Sequence, residues 1–447
     1  MKRWQRLGII LLLHAGASAG PMSLPKAQAL LFARNNQIKA AELRHEQSMN
    51  KLIETRADWY PTVEVVGNYI FTSKRRRISF SRTLSLFDDT IPLPMPDTFA
   101  LQIDEPVGDY DRYEMGIDAI YPVFTGFARS HATRAAEAEI EAYSLMVDIE
   151  RNTQSLNLGV LYFTWEDATA GVRTQQKKVQ RIAEHAGYMR DLYNAGLQAY
   201  SQVLIATARL EKARLDVLKA QGVADSLSLE ITHLLGIQDT LAYPAGYHFD
   251  SFYSRTKPKR TATDVRRPEL QALTFRINQI TEAQNVLRSD RFPSLALRAG
   301  YRVANPGLQM GTEEVMRYGT VGLHLNWTIY DGMRDWAKRE QLKRQQSIIE
   351  NRRAYTREEF NKHFRLARQQ YEQAQAMEEA TQKSLEAAQA VAKDMENALD
   401  AGTAVSVDYL ESLNEVSEAE RARDQATTFR KVSFLRLLYA LGETIDF

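Results

Sequence analysis

The chain has 447 residues, 57 Lys and Arg against 56 Asp and Glu, and no cysteine. The near-neutral balance argues against a polyanion such as nucleic acid as the partner. The missing thiols exclude disulfides, thiol catalysis, cysteine-held metal and a lipid-modified N-terminal cysteine.

Residues 1–19 read as an export signal. Lys2, Arg3 and Arg6 form a basic start, Leu7 to Leu13 an apolar stretch too short to span a bilayer, and Ala17-Ser18-Ala19 a small-x-small cleavage site. Removing it leaves 54 basic against 56 acidic residues. No later apolar run approaches the roughly 20 residues of a transmembrane helix, so any membrane crossing falls to β-strands.

The remainder is written twice. Phe124-Thr125-Gly126 lies over Tyr330-Asp331-Gly332 at an offset of 206, and Ala195-Gly196 over Ala401-Gly402 and Leu235-Gly236 over Leu441-Gly442 at the same offset. Further upstream, Trp59-Tyr60-Pro61 lies over Arg291-Phe292-Pro293 and Tyr69 over Tyr301, at an offset of 232. One indel of 26 residues, between Tyr69 and Gly116, separates the copies. The expected organisation is a signal (1–19), a first repeat (20–236), a connector (237–263) and a second repeat (264–447). A unit this long is not a solenoid repeat of about 20–50 residues.

Each copy opens on a helix and then turns to period two. Val63, Val65, Tyr69 and Phe71 share one face of a strand, and Tyr113, Met115, Ile117, Ala119 and Tyr121 one face of the next. In the second copy Leu295, Leu297, Ala299, Tyr301 and Val303 alternate with Ala296, Arg298, Gly300 and Arg302. Val321, Leu323, Leu325, Trp327 and Ile329 alternate with Gly322, His324 and Asn326. About ten residues of such alternation are the signature of a transmembrane β-strand, with Val321, Leu323, Leu325 and Trp327 toward lipid. The indel, near Lys74 to Asp109, carries Lys74-Arg75-Arg76-Arg77 and four prolines and reads as a long outward loop.

Long helices follow. No proline lies between Pro122 and Pro244 or after Pro306. Past Gly126 and past Gly332, the strand-to-helix junctions, run about 65 residues rich in Ala, Glu, Arg, Gln and Leu, about 100 Å of helix. They stop at Tyr193-Asn194-Ala195-Gly196 and Leu399-Asp400-Ala401-Gly402, where glycine ends a helix. In the next helix Leu210, Ala213, Val217, Ala220, Ala224, Leu227, Ile231 and Leu234 follow an unbroken 3-4 heptad seam. Four strands per chain cannot close in lipid, so the chain must oligomerise; two copies would give eight strands, three would give twelve.

This plan resembles the TolC-type outer-membrane efflux family over essentially the whole mature chain. Its most specific parts are the twofold repeat, the strand starts at Pro61 and Pro293, the junctions at Gly126 and Gly332, and the turns at Gly196 and Gly402. The resemblance implies a mainly α fold with β-hairpins. It implies a homotrimeric channel-tunnel whose 12-stranded barrel, four strands per chain, is continued by an α-helical barrel into the periplasm. It also implies a passive exit duct in outer-membrane lipid, served by an inner-membrane pump and a periplasmic adaptor. The turn residues Tyr193, Ala195, Gly196, Ala401, Gly402 and Thr403 would meet the adaptor. Asp408 and Glu411, three apart on one helical face, match the family's constricting acidic pair, and Gln202 matches a position where some members carry Asp. Ala404 stands where some members carry a gating Arg.

Nothing points to an enzyme or a cofactor. The eight histidines form no pair at helical spacing, and no nucleophile-elbow or phosphate-loop motif occurs. The competing reading is an exported coiled-coil scaffold or adaptor with its hairpins in a soluble β-domain.

Overall fold

The computed structural model describes residues 21–85, 98–107, 110–238, 241, 243–256, 267–305, 314–401, 403 and 406–447. The expected signal, Gly402, Ala404 and part of the connector lie outside them. In chain order the elements are α1 (Leu24–Arg34), α2 (Asn36–Ala57), β1 (Thr62–Phe71), β2 (Arg76–Ser85), β3 (Thr98–Val107), β4 (Asp111–Phe124), α3 (Ala128–Asn194) and α4 (Tyr200–Leu235). These are followed by α5 (Phe249–Arg255), α6 (Pro268–Ser289), β5 (Ser294–Asn305), β6 (Met316–Asn326), α7 (Arg334–Asp400) and α8 (Ser406–Leu441). Helices α3 and α7 both have 67 residues and α4 and α8 both have 36, each pair offset by the same 206 residues as the sequence landmarks.

The chain divides into two compact units, one of residues 1–47, 140–275 and 349–447, the other of residues 48–139 and 276–348. In the first, the core gathers Leu24, Leu31, Leu158, Tyr162, Phe163, Ile231, Leu235, Phe252, Phe434 and Leu435, all essentially without exposed surface. Aromatic rings pack edge to face through it: Phe249 and Phe252 both meet Phe434 in this way. The heptad seam of α4 is buried or half-buried at all eight of its positions. The Tyr162 hydroxyl lies 2.8 Å from the Met22 carbonyl and also reaches that of Ala245. Burial, reinforced by the Glu166 charge, pushes this phenol well above its ordinary value.

The two shorter helices, α4 and α8, end in the same way. Gly236 and Gly442 are left-handed, φ 66° and 75°, and 6→1 bonds run from Ile237 N to Thr232 O and from Glu443 N to Leu438 O. That leaves carbonyls one turn back without donors inside a core poor in water. The Asn35 side chain donates to Leu234 O at 2.8 Å, while its oxygen accepts from the N–H groups of Gln37 and Ile38 and so caps α2. In the second copy Arg267, just before α6, donates to Tyr439 O at 2.8 Å and Ala440 O at 3.4 Å. Asn35 and Arg267 are related by the 232 offset, and Leu234 and Ala440 by the 206 offset. The same device is therefore built twice from different chemistry. Arg267 is 1% exposed, with its guanidinium 3.6 Å from the centre of the Phe360 ring. Burial lowers its pKa, and Glu269, which accepts a hydrogen bond of 3.3 Å from the guanidinium, opposes that.

The chain end is drawn into the same core. Gln28, 3% exposed, donates to Ser155 Oγ and Ile445 O and accepts from Phe447 N. Gly159 in α3 lets the end of the chain and α8 approach: a Cβ there would come within 2.5 Å of Leu435 Cδ1 and 2.6 Å of Phe447 Cζ. Two ion pairs tie α8 to α3. Arg421 grips Asp167 with two bonds of 2.9 Å, and Lys431 reaches Glu166 at 2.9 Å.

The second unit holds both sheets. Strands β1, β4, β5 and β6 form an antiparallel sheet in the order β1-β4-β5-β6, and β2 pairs with β3 in a separate two-stranded ladder. The 26-residue indel is thus not only a loop: part of it is an added hairpin. Arg77 and Asp104, across that hairpin, make an ion pair at 3.0 Å. Strand β2 carries Ser79, Ser81 and Ser85, and β3 carries Pro106. The one irregularity in the β4–β5 ladder falls between Pro122 and Phe124, where proline has no N–H to give.

Two substitutions test the packing. Gly159→Val should destabilise the protein by about 1–3 kcal/mol through overpacking. Gly187→Ala, with nothing within 4 Å of the added methyl, should be neutral or stabilise by up to about 1 kcal/mol. Thermal melting followed by helical circular dichroism checks both, and equal effects would refute the close approach. By the same readout, Arg267→Met should cost about 3 kcal/mol, because it strands two buried carbonyls and the Glu269 charge.

Candidate channel wall and periplasmic tip

The four-stranded sheet has one apolar and one polar face. In register across it run Val63–Ala119–Ala299–Val321 and Val65–Ile117–Tyr301 on one face. On the other run Glu64–Asp118–Gly300–Thr320 and Asn68–Glu114–Ala304. Directly paired residues of antiparallel strands share a face, so the alternation read in each strand adds up to a continuous surface. The apolar side is open: Val321 is 79% exposed, Leu323 69% and Leu325 63%. Trp327 lies one residue beyond the end of β6, and its indole N–H donates to Arg291 O at 3.1 Å. His324 sits on the polar face, paired with Ala296.

The polar face carries a charged cluster. Arg302 on β5 donates to Glu114 and, at 2.7 Å, to Asp118, both on β4. Two glycines make room for it. A Cβ at Gly116 would come within 2.7 Å of Arg302 Cγ, and one at Gly300 within 2.5 Å of Asp118 Oδ1. The guanidinium and carboxylates therefore lie along the strands. Sequence reading placed these residues on the polar face but did not pair them; the signal was acidic residues on one strand opposite arginines on its neighbour.

At the junctions Gly126 and Gly332 have φ 60° and 70°, and the next residues, Phe127 and Met333, are left-handed as well, at 73° and 66°. The glycines were legible, whereas the strained residues after them were not. Phe127 is held by edge-on contacts with Phe124 and Phe292.

The tip residues fall at two matching turns. Tyr193 ends α3 against Tyr200, ring centres 5.3 Å apart. Gly196 is left-handed at φ 73°, and Leu197 N bonds Leu192 O, so Ala195 and Gly196 form a Schellman stop. Thr403 N makes the equivalent 6→1 bond to Ala398 O, just beyond Ala401. Gly402 lies outside the described residues. Gln202 stands exposed in the first turn of α4, its N–H on Ala199 O. Asp408 lies in the first turn of α8, where the helix dipole favours a carboxylate, and is exposed, as is Glu411. The two have different neighbours: Glu411 borders a cavity lined by basic residues of α3 and α4, and Asp408 does not.

A family model described as outer membrane efflux protein matches residues 28–237 and 262–443, and the chain belongs to that family. Its fold is that of the TolC-type channel-tunnels. The CusC structure matches with a TM-score of 0.75 at 15% identity, over 94% of this chain and 92% of that one. The outer membrane protein VceC of Vibrio cholerae matches at 0.69 and 14%, over 94% and 96%. The open-state MtrE outer membrane channel of Neisseria gonorrhoeae matches at 0.73 and 17%, over 94% and 89%. No curated protein matches by sequence. The protein is thus an outer-membrane efflux protein, and its channel fold is mostly helical with antiparallel strands.

The two faces of β6 make a direct test. Leu323→Arg should cost about 2–4 kcal/mol of barrel stability if the residue lies near mid-bilayer, and His324→Arg much less. Heat resistance of the folded protein on unheated gels reports both. Equal losses would show that β6 does not face lipid.

Proposed function

We propose that this protein is the outer-membrane duct of a tripartite efflux or secretion system. Three copies close a twelve-stranded barrel that continues as a helical tunnel into the periplasm. Substrates brought by an inner-membrane pump through a periplasmic adaptor leave through it passively. The observation that carries this reading is the amphipathic four-stranded sheet, whose edge strands β1 and β6 each have one side unpaired among the described residues. In hydrocarbon an unpaired edge leaves N–H and C=O groups unsatisfied at several kcal/mol each. Strands from further copies satisfy them. Eight strands would fill the interior with side chains, whereas twelve leave a lumen. Membership of the efflux family favours this duct over an exported scaffold.

On this reading Tyr193, Ala195, Gly196, Ala401, Gly402 and Thr403 meet the adaptor. Asp408, Glu411 and Gln202 line the periplasmic aperture. Threefold symmetry would gather six carboxylates there, and a confined throat focuses their field toward cations. Glu411 is partly compensated by the basic cavity beside it, so Asp408 should carry most of the selectivity.

Single-channel recording in planar bilayers under a salt gradient tests the assignment. Asp408→Asn with Glu411→Gln should lower cation selectivity and relieve block by multivalent cations, with the trimer intact. Asp408→Asn alone should account for most of the change. Reversal potentials and block that stay at wild-type values in the double variant would remove these residues from the aperture.

A further inference from the structure

Within the first unit a cavity of about 250 Å³ opens between α3, α4 and α8. Helix α3 contributes Lys178, Arg181 and His185, whose three-and-four spacing puts them on one face, and α4 contributes Arg209 and Lys212. The carboxylates in the wall are Asp216, which also lies 3.8 Å from Lys219, and Glu411 at the rim. Arg181 donates to Ser417 Oγ. Among the described residues Lys178, Arg209 and Lys212 make no ion pair or hydrogen bond with the protein. Some surface cations elsewhere on the long helices do pair, as in Arg214–Glu211, Arg368–Glu372 and Lys383–Glu379. Here they converge on a concavity instead. Burial, and then the Arg209 charge, hold the His185 pKa below its ordinary value.

Like charges converging on a concavity repel one another, and a counter-ion that fills the concavity relieves the repulsion. We propose that this cavity binds a polyvalent oxyanion of the phosphate or sulfate class. Lys178 and Arg181 approach the anion from α3, and Arg209 and Lys212 from α4. The volume exceeds what one tetrahedral oxyanion needs, which leaves room for bridging water. Every group comes from one compact unit of one chain, so binding requires no second copy. Glu411 competes with the anion for the same cations. On the duct reading, occupancy would release the Glu411 charge to the aperture; binding itself does not depend on that reading.

The test uses the purified full-length protein in detergent at low ionic strength, where screening is weakest. Calorimetric titration with sodium phosphate, and separately with sodium sulfate, is compared with sodium chloride at matched ionic strength. Phosphate and sulfate should bind with a saturable heat and chloride should not. Arg209 and Lys212 are both exposed, so the Arg209→Gln/Lys212→Gln variant should retain its fold, checked by circular dichroism, and should bind phosphate at least about tenfold more weakly. Lys178→Gln should weaken binding as well, and Glu411→Gln should tighten it. These anions also stabilise proteins in general by exclusion from the surface. A phosphate response that chloride matches, or that persists undiminished in the double variant, is that general effect and overturns the proposal.

Discussion

The interaction on which the helical unit depends is the capture of the terminal carbonyls of α4 and α8. Each helix brings its last turn into a core where water cannot serve as donor. Each glycine stop settles part of the debt through its 6→1 bond, and a side chain at the head of an earlier helix settles more. In the first copy this is a neutral amide, Asn35, which also caps its own helix. In the second it is a charged guanidinium, Arg267, which the rings of Phe360 and Tyr439 and the carboxylate of Glu269 make tolerable. The repeat preserves the physical requirement and not the residue. The aromatic cluster around Phe252 and Phe434 and the buried Gln28 hub assemble on the helix ends so defined.

The sheet answers a different constraint. A strand that faces hydrocarbon on one side and water on the other must alternate, and its backbone must be paired along its whole length. Alternation decides which residues face lipid, and register decides which polar residues meet. The Arg302, Glu114 and Asp118 cluster follows from that register: glycines at 116 and 300 leave no side chain where the long guanidinium and the carboxylates lie. One guanidinium is thereby shared between two carboxylates on the polar face.

At the start of α8 the electrostatics differ from one carboxylate to the next. Asp408 sits where a helix N-terminus favours negative charge, and Glu411, three residues on, lies beside a basic cavity. Two carboxylates that look equivalent in sequence therefore occupy different fields. The cations of that cavity come from helices α3 and α4, far apart in sequence from Glu411, so only their packing makes them neighbours.

By itself the sequence determined the repeat, the alternation of β1, β4, β5 and β6, the lengths of the long helices, and the glycines at 126, 196, 236 and 332. Each of these is a local or periodic requirement: a left-handed helix stop favours glycine, a long helix excludes proline, and a two-sided strand alternates. Pairing across the chain was not legible. Nothing local to Asn35 or Arg267 marks either as the partner of a distant helix end. The left-handed Phe127 and Met333 carry no composition signal, and reading the indel as a loop missed the β2–β3 hairpin. The convergence of Lys178, Arg209 and Lys212 on one cavity was equally invisible. Those features depend on which helix ends and strands meet in space. That is decided by burial summed over the whole core, a quantity no single stretch of sequence contains.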